Sequence, residues 1–211
     1  MLIFDLDGTL IDSAKDLTNA INLAFKEFGK REVSVDEVRG YLGNGAEMLI
    51  TRALSGGKDS FDKEEVDKIL PVFKKYYANN VCVETTLYEG VRETLSKLPY
   101  KKAIVTNKPY EFVEEILEKL DIKRYFDLWI GGDSLDEKKP SAKPLLYVCE
   151  KFNISPQKAV MIGDSKNDII AAKRAGIKSI ALTYGYNYGE DIRGFNPDIV
   201  IDDFRKVLEV L

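Results

Sequence analysis

Two aspartates one residue apart, Asp5 and Asp7, follow directly on the apolar run Leu2-Ile3-Phe4 and precede Gly8-Thr9. Carboxylates at this spacing repel unless something positive lies between them. A hard divalent cation taking oxygen ligands is the natural candidate. Three more polar clusters stand in comparable places, each just past an apolar run or in the loop leading from one: Thr106 with Asn107, Lys138 with Lys139, and Asp164 with Asp168. Any one of them alone is ordinary turn chemistry. Four together, with mixed roles, point to one site, because strand ends in a doubly wound sheet converge on one crevice.

Composition narrows the chemistry. The 211 residues contain no histidine, which excludes Ser-His and Cys-His nucleophile pairs, phosphohistidine and imidazole metal sites. The reaction must run on carboxylates, hydroxyls and lysines, with or without a metal. Net charge is −4 with Lys and Arg spread along the chain, so there is no basic face for nucleic acid. Cys82 and Cys149 are the only cysteines, too few for a disulfide framework or zinc cluster, and a reduced cytoplasm is the simplest setting. The amino-terminal apolar run is broken by Asp5, so it does not read as a signal peptide. No stretch approaches the ~18 apolar residues of a membrane span.

The elements that must position these groups alternate between strand and helix. Leu2 to Asp5 reads as a buried strand. From Val81 onward the apolar runs 102–105, 128–130, 159–162, 179–182 and 199–201 read as strands separated by helical patterns, the grammar of parallel βαβ units. Residues 14–80 contain no convincing strand. Ser13 with Asp16, and Ser34 with Glu37, match capping boxes, Gly43-Asn44-Gly45 and Gly56-Gly57 punctuate, and Lys63 to Asn79 is helical with a kink or break expected at Pro71. The expected fold is therefore α/β: a doubly wound, Rossmann-like parallel-sheet core from 1–13 and 81–211, with an all-helical insertion at 14–80 placed after the first strand.

Asp5-Leu6-Asp7-Gly8-Thr9-Leu10, Val105-Thr106-Asn107-Lys108, Lys139-Pro140 and Gly163-Asp164-Ser165-Lys166-Asn167-Asp168 resemble, in order, the four motifs of the haloacid-dehalogenase-like (HAD) hydrolase superfamily. Gly43-Asn44-Gly45-Ala46 and Leu182 to Glu190 are similar to the bacterial phosphoglycolate phosphatases within it. The resemblance implies hydrolysis of 2-phosphoglycolate with Mg²⁺, through an aspartyl-phosphate, in a core covered by a helical cap. It implies Asp5 as nucleophile, Asp7 as general acid and then base, and Mg²⁺ on Asp5, the Asp7 backbone carbonyl and Asp164. Thr106 and amides near Gly8 and Asn107 would bind the phosphoryl oxygens. Lys139 would add positive charge, and Asp168 would orient Lys139 or a metal-bound water.

Each role has a plainer counterpart. Thr106 can be a strand-end cap. Lys143 also precedes a proline and competes with Lys139, as does Lys138. Asp168 suits a helix amino terminus. Gly43-Asn44-Gly45 is either a turn or a loop whose amides meet the substrate carboxylate, and Tyr184, Tyr186 and Tyr188 can simply pack beside the site. The expected partner is a small-molecule phosphate ester bound by a monomer or homodimer. Another small phosphatase of the same fold, for a sugar phosphate or pyrophosphate, and a phosphosugar mutase are the alternatives. Dehalogenation needs neither a second acid nor a metal, so Asp7 and Asp164 argue against it.

Overall fold

A computed structural model describes residues 1–211. The strands are β1 (Leu2–Phe4), β2 (Ile11–Asp12), β3 (Thr86–Leu87), β4 (Lys102–Val105), β5 (Leu128–Ile130), β6 (Val160–Gly163), β7 (Lys178–Leu182) and β8 (Ile199–Ile201). The α-helices are α1 (Ala14–Glu27), α2 (Val35–Tyr41), α3 (Ala46–Ser55), α4 (Lys63–Asn79), α5 (Val91–Lys97), α6 (Tyr110–Lys119), α7 (Lys143–Lys151), α8 (Lys166–Ala175) and α9 (Val207–Val210).

Six strands form one parallel sheet in the order β5-β4-β1-β6-β7-β8. The chain builds outward from β1 in one direction through β4 and β5, then in the other through β6, β7 and β8. The carboxyl end of β1 is thus the switch point where such sheets hold ligands. Residues of β1 alternate between two buried layers. Phe4 packs with α5 and α6 on one face, and Ile3 with α7 and α8 on the other. Burial on both faces explains why this strand is a continuous apolar run.

Between β2 and β3 the chain makes only helices, α1 to α4, which pack chiefly α1 on α4 and in sequence on one another. β2 and β3 pair antiparallel, Ile11 opposite Leu87 and Asp12 opposite Thr86. This short ribbon, which two-residue runs do not reveal, gathers both ends of the helical insertion. No helix is long and apolar enough to cross a membrane.

Two local expectations fail for definable reasons. Asp16 does not cap α1. Its buried carboxylate accepts hydrogen bonds from the backbone N–H groups of Val83, Glu84 and Thr85, each at 2.9 Å, and from the Thr85 hydroxyl. Three long-range donors outcompete one local one, and the Ser13 hydroxyl donates instead to Asp7. Pro71 does not break α4, which runs from Lys63 to Asn79 through it. Pro71 and Asp67 are both exposed, so the Asp67 carbonyl that loses its helical donor is left to water. The box at Ser34 and Glu37 forms as read.

Candidate active site

The switch point assembles its polar groups from loops that follow β1, β4, β5 and β6. Asp5 continues β1, its N–H donating to Ile162 O at 2.9 Å. Asp164 stands at the end of β6. The Lys139 ammonium lies 2.9 Å from Asp5 Oδ1 and 2.6 Å from Asp168 Oδ1. Lys139 is only 2% exposed, so this is a buried triad of two carboxylates and one cation. Lys138 is exposed, and Lys143 is 46% exposed on Asp136. Neither reaches Asp5.

Burial dominates the electrostatics. It pushes the Asp5 carboxyl up to about 7, against the pull of Lys139 and with further upward push from Asp168. Asp164 is also raised well above the usual carboxylate range, by burial first and then by Asp5 and Asp168. Burial would lower the Lys139 ammonium, but Asp168 and Asp5 outweigh it and hold it above an ordinary lysine. Three buried acids facing one another with a single lysine leave negative charge to be neutralised.

The donor set fits a hard divalent cation. Carboxylate oxygens of Asp5, Asp164 and Asp168 lie within 4.8 Å of one another. Asp5 Oδ1 is buried and, despite its proximity to Lys139, makes no aligned hydrogen bond. Asp164 is held by the Thr9 hydroxyl at 2.7 Å and the Tyr186 N–H at 2.8 Å. Its carboxylate is cradled between Gly8 and Gly185, where a Cβ on either would collide with it. Asp168 is already committed: Oδ1 accepts from Lys139, and Oδ2 from Ser165 N–H and Oγ. Its geometry is that of a residue orienting Lys139. The Asp7 carboxylate faces the other way, toward Lys108 at 3.0 Å and the Ser13 hydroxyl. Only its backbone is left to serve a cation beside Asp5.

The sequence profile of the haloacid dehalogenase-like hydrolases matches residues 2–182. A protein from Colwellia psychrerythraea named phosphoglycolate phosphatase is 45% identical over 99% of this chain and 95% of its own length. Phosphoglycolate phosphatase 1 of Pseudomonas aeruginosa is 42% identical over 99% of this chain and 78% of its own. A crystal structure from Haemophilus somnus, described as a predicted phosphoglycolate phosphatase, superposes with a TM-score of 0.93 at 39% identity, covering 100% of this chain and 96% of that one. The chain belongs to the haloacid dehalogenase-like hydrolase family.

In this family member, a cleft between sheet and helices is lined by Asp5, Asp7, Thr106 and Asn107 from the sheet side and by Gly43 and Gly45 from the helical side. Thr106 Oγ1 accepts from the Lys108 N–H at 3.1 Å. It therefore caps the strand end, while its hydroxyl proton stays free to donate into the cleft. Asn107 Nδ2 donates to Gly43 O at 2.8 Å and to Lys139 O at 2.9 Å, leaving the backbone rather than the side-chain amine for a ligand. Gly45, at φ +88°, precedes α3, and it and Ala46 both line the cleft, so the start of that helix, with its open N–H groups, lies in the cleft wall.

Asn44 is not at the cleft. Its Oδ1 accepts from the Tyr188 hydroxyl and from Arg52 at 3.3 Å. The adjacent Gly43 O takes a second bond from Asn167 at 2.9 Å. The tyrosine loop does more than pack. Tyr184 OH donates to Thr9 O, Tyr186 OH to Asp12, and Tyr188 joins Asn44 to Asn167. Sequence reasoning gave Lys108 no role, yet its side chain is buried against Asp7. The signal was available: Lys108 stands three residues beyond the end of β4, as Asp7 stands three beyond the end of β1, and β4 pairs with β1.

Proposed function

We propose that this chain hydrolyses 2-phosphoglycolate to glycolate and phosphate in the presence of Mg²⁺. One observation carries the reading: a buried aspartate, Asp5, stands at a sheet switch point paired with the ammonium of Lys139 and close to a second buried acid, Asp164. Asp5 and Asp164, with the Asp7 backbone carbonyl, would hold the metal, which supplies positive charge against the anionic ester.

Asp5 attacks phosphorus, forming an acyl phosphate as the ester P–O bond breaks. Asp7 delivers its proton to the departing glycolate oxygen. The Asp7 carboxylate then takes a proton from the water that attacks the phosphoryl group, which frees phosphate and regenerates Asp5. Lys139, the Thr106 hydroxyl and the amides around Gly8 and Asn107 stabilise the charge on the equatorial oxygens. Asp168 keeps Lys139 directed at Asp5.

The insertion at 14–80 acts as a cap over a core formed by 1–13 and 81–211, moving about the β2–β3 ribbon to admit substrate and exclude water. On the helical side the cleft is walled by Leu17, Leu42, Leu49 and Phe73, which offer no partners to a hexose's hydroxyls. That supports phosphoglycolate over a hexose phosphate.

The test is phosphate release from a panel including phosphoglycolate, glucose 6-phosphate and pyrophosphate, with Mg²⁺ and with no bisphosphate activator. Phosphoglycolate should give the highest kcat/KM, and Asp5→Asn should abolish turnover while leaving the folded state intact. A higher kcat/KM for the hexose phosphate would overturn the substrate assignment.

A further inference from the structure

Lys108 is the one cation lining the cleft. Its side chain is 3% exposed. It packs over the Tyr77 ring, 4.8 Å from its centroid, and Asp7 is the only acceptor of its ammonium, at 3.0 and 3.3 Å. An ammonium carries three donors, so Asp7 alone does not exhaust it. Tyr77 lines the same cleft, and its buried hydroxyl, beside the Lys108 ammonium, makes no aligned hydrogen bond. Two buried polar groups with unused donor capacity, among walls such as Leu49, Phe73 and Phe112, are costly unless a ligand completes them.

Their position restricts which ligand. On the reading above, Asp7 touches the ester oxygen of the leaving group. A cation in contact with Asp7 reaches only what lies within a few bonds of that oxygen. In a phosphorylated 2-hydroxy acid the carboxylate begins two bonds away. We propose that Lys108, with the Tyr77 hydroxyl beside it, forms the subsite that recognises the leaving group's carboxylate and sets the preference for esters of 2-hydroxy acids. The start of α3 lies in the wall of the same cleft, and its open N–H groups would add to the subsite. This rests on the phosphatase reading and goes beyond it by naming a specificity residue.

The experiment compares phosphoglycolate with 2-hydroxyethyl phosphate, which replaces the carboxylate by a neutral hydroxymethyl group. The readout is the ratio of their kcat/KM values with Mg²⁺. Losses common to both esters, such as those arising through Asp7, cancel in that ratio. Lys108→Gln should lower it about 10- to 100-fold, the range for losing a hydrogen bond to a charged group, with the difference carried mainly by KM. Lys108→Arg should keep the ratio within a few-fold of the wild type. An unchanged ratio in Lys108→Gln overturns the proposal and makes Lys108 a positioning residue for Asp7. If Lys108→Gln does not fold, Tyr77→Phe decides by the same criterion with a smaller expected fall, since removing an unpartnered hydroxyl breaks no internal bond. Absence of any wild-type activity on phosphoglycolate would instead defeat the phosphatase reading itself, a distinct result.

Discussion

Replacing Lys139 by methionine removes the only cation from a buried site holding Asp5 and Asp168. At 2.9 and 2.6 Å and an effective dielectric near 20, each contact is worth about 6 kcal/mol of gross attraction. Much of that offsets the cost of burying the charges. Removing one partner of such a buried pair typically costs about 3–5 kcal/mol. The loss depends on pH in a definite direction. Asp5 already holds its proton up to about 7 in the folded state against 3.8 for the free side chain. Without Lys139, which pulls it down, it rises further. A folded carboxyl that binds protons more tightly than the unfolded one loses stability as pH climbs from about 4 through its folded value. The methionine variant should therefore be several kcal/mol less stable than wild type in metal-free urea denaturation at pH 8, and the gap should narrow at pH 5. Turnover of phosphoglycolate should fall at least about 100-fold, in line with loss of a preorganised charge. The double variant Lys139→Met with Asp168→Asn should recover part of the stability and none of the activity. Equal stability of wild type and Lys139→Met at pH 8, or near-normal turnover, would refute the triad's role.

Other consequences are independent of Lys139. Mg²⁺ should raise the melting temperature more at pH 8 than at pH 5, because it competes with protons for Asp5 and Asp164, both raised by burial; a larger shift at pH 5 would contradict this. Gly8→Ala places a Cβ against the Asp164 carboxylate at a backbone φ of +88°, so calorimetric Mg²⁺ affinity should drop with the fold retained, as checked by circular dichroism. Asp16→Ala strips the acceptor from three backbone N–H groups at residues 83–85 and should cost roughly 2–3 kcal/mol in urea denaturation. A loss below about 0.5 kcal/mol would mean water replaces it freely.

Most of the sheet and three of the four motif loops were legible because β1, β4 and β6 are buried on both faces. Burial on both faces turns a strand into an uninterrupted apolar run, and the polar residue that follows each run marks its carboxyl end. Choosing among Lys138, Lys139 and Lys143 was not possible from order alone, since only the folded loop determines which ammonium is buried on Asp5. Asp16 was misread because it sits in a local pattern, a capping box, while its side chain is claimed by partners far along the chain, at 83–85. The β2–β3 ribbon is two residues on each side, too short for any periodicity to register.

The claim on which the rest depends is that Asp5 forms a covalent bond to phosphorus. Millisecond acid quenching of enzyme mixed with phosphoglycolate and Mg²⁺, followed by borohydride reduction and peptide mass spectrometry, addresses it directly. Reductive conversion of Asp5, and of no other aspartate, to homoserine is the expected result. Turnover with Asp5 unmodified at every quench time and single-turnover inversion at phosphorus would show that water attacks the ester directly and would contradict the mechanism.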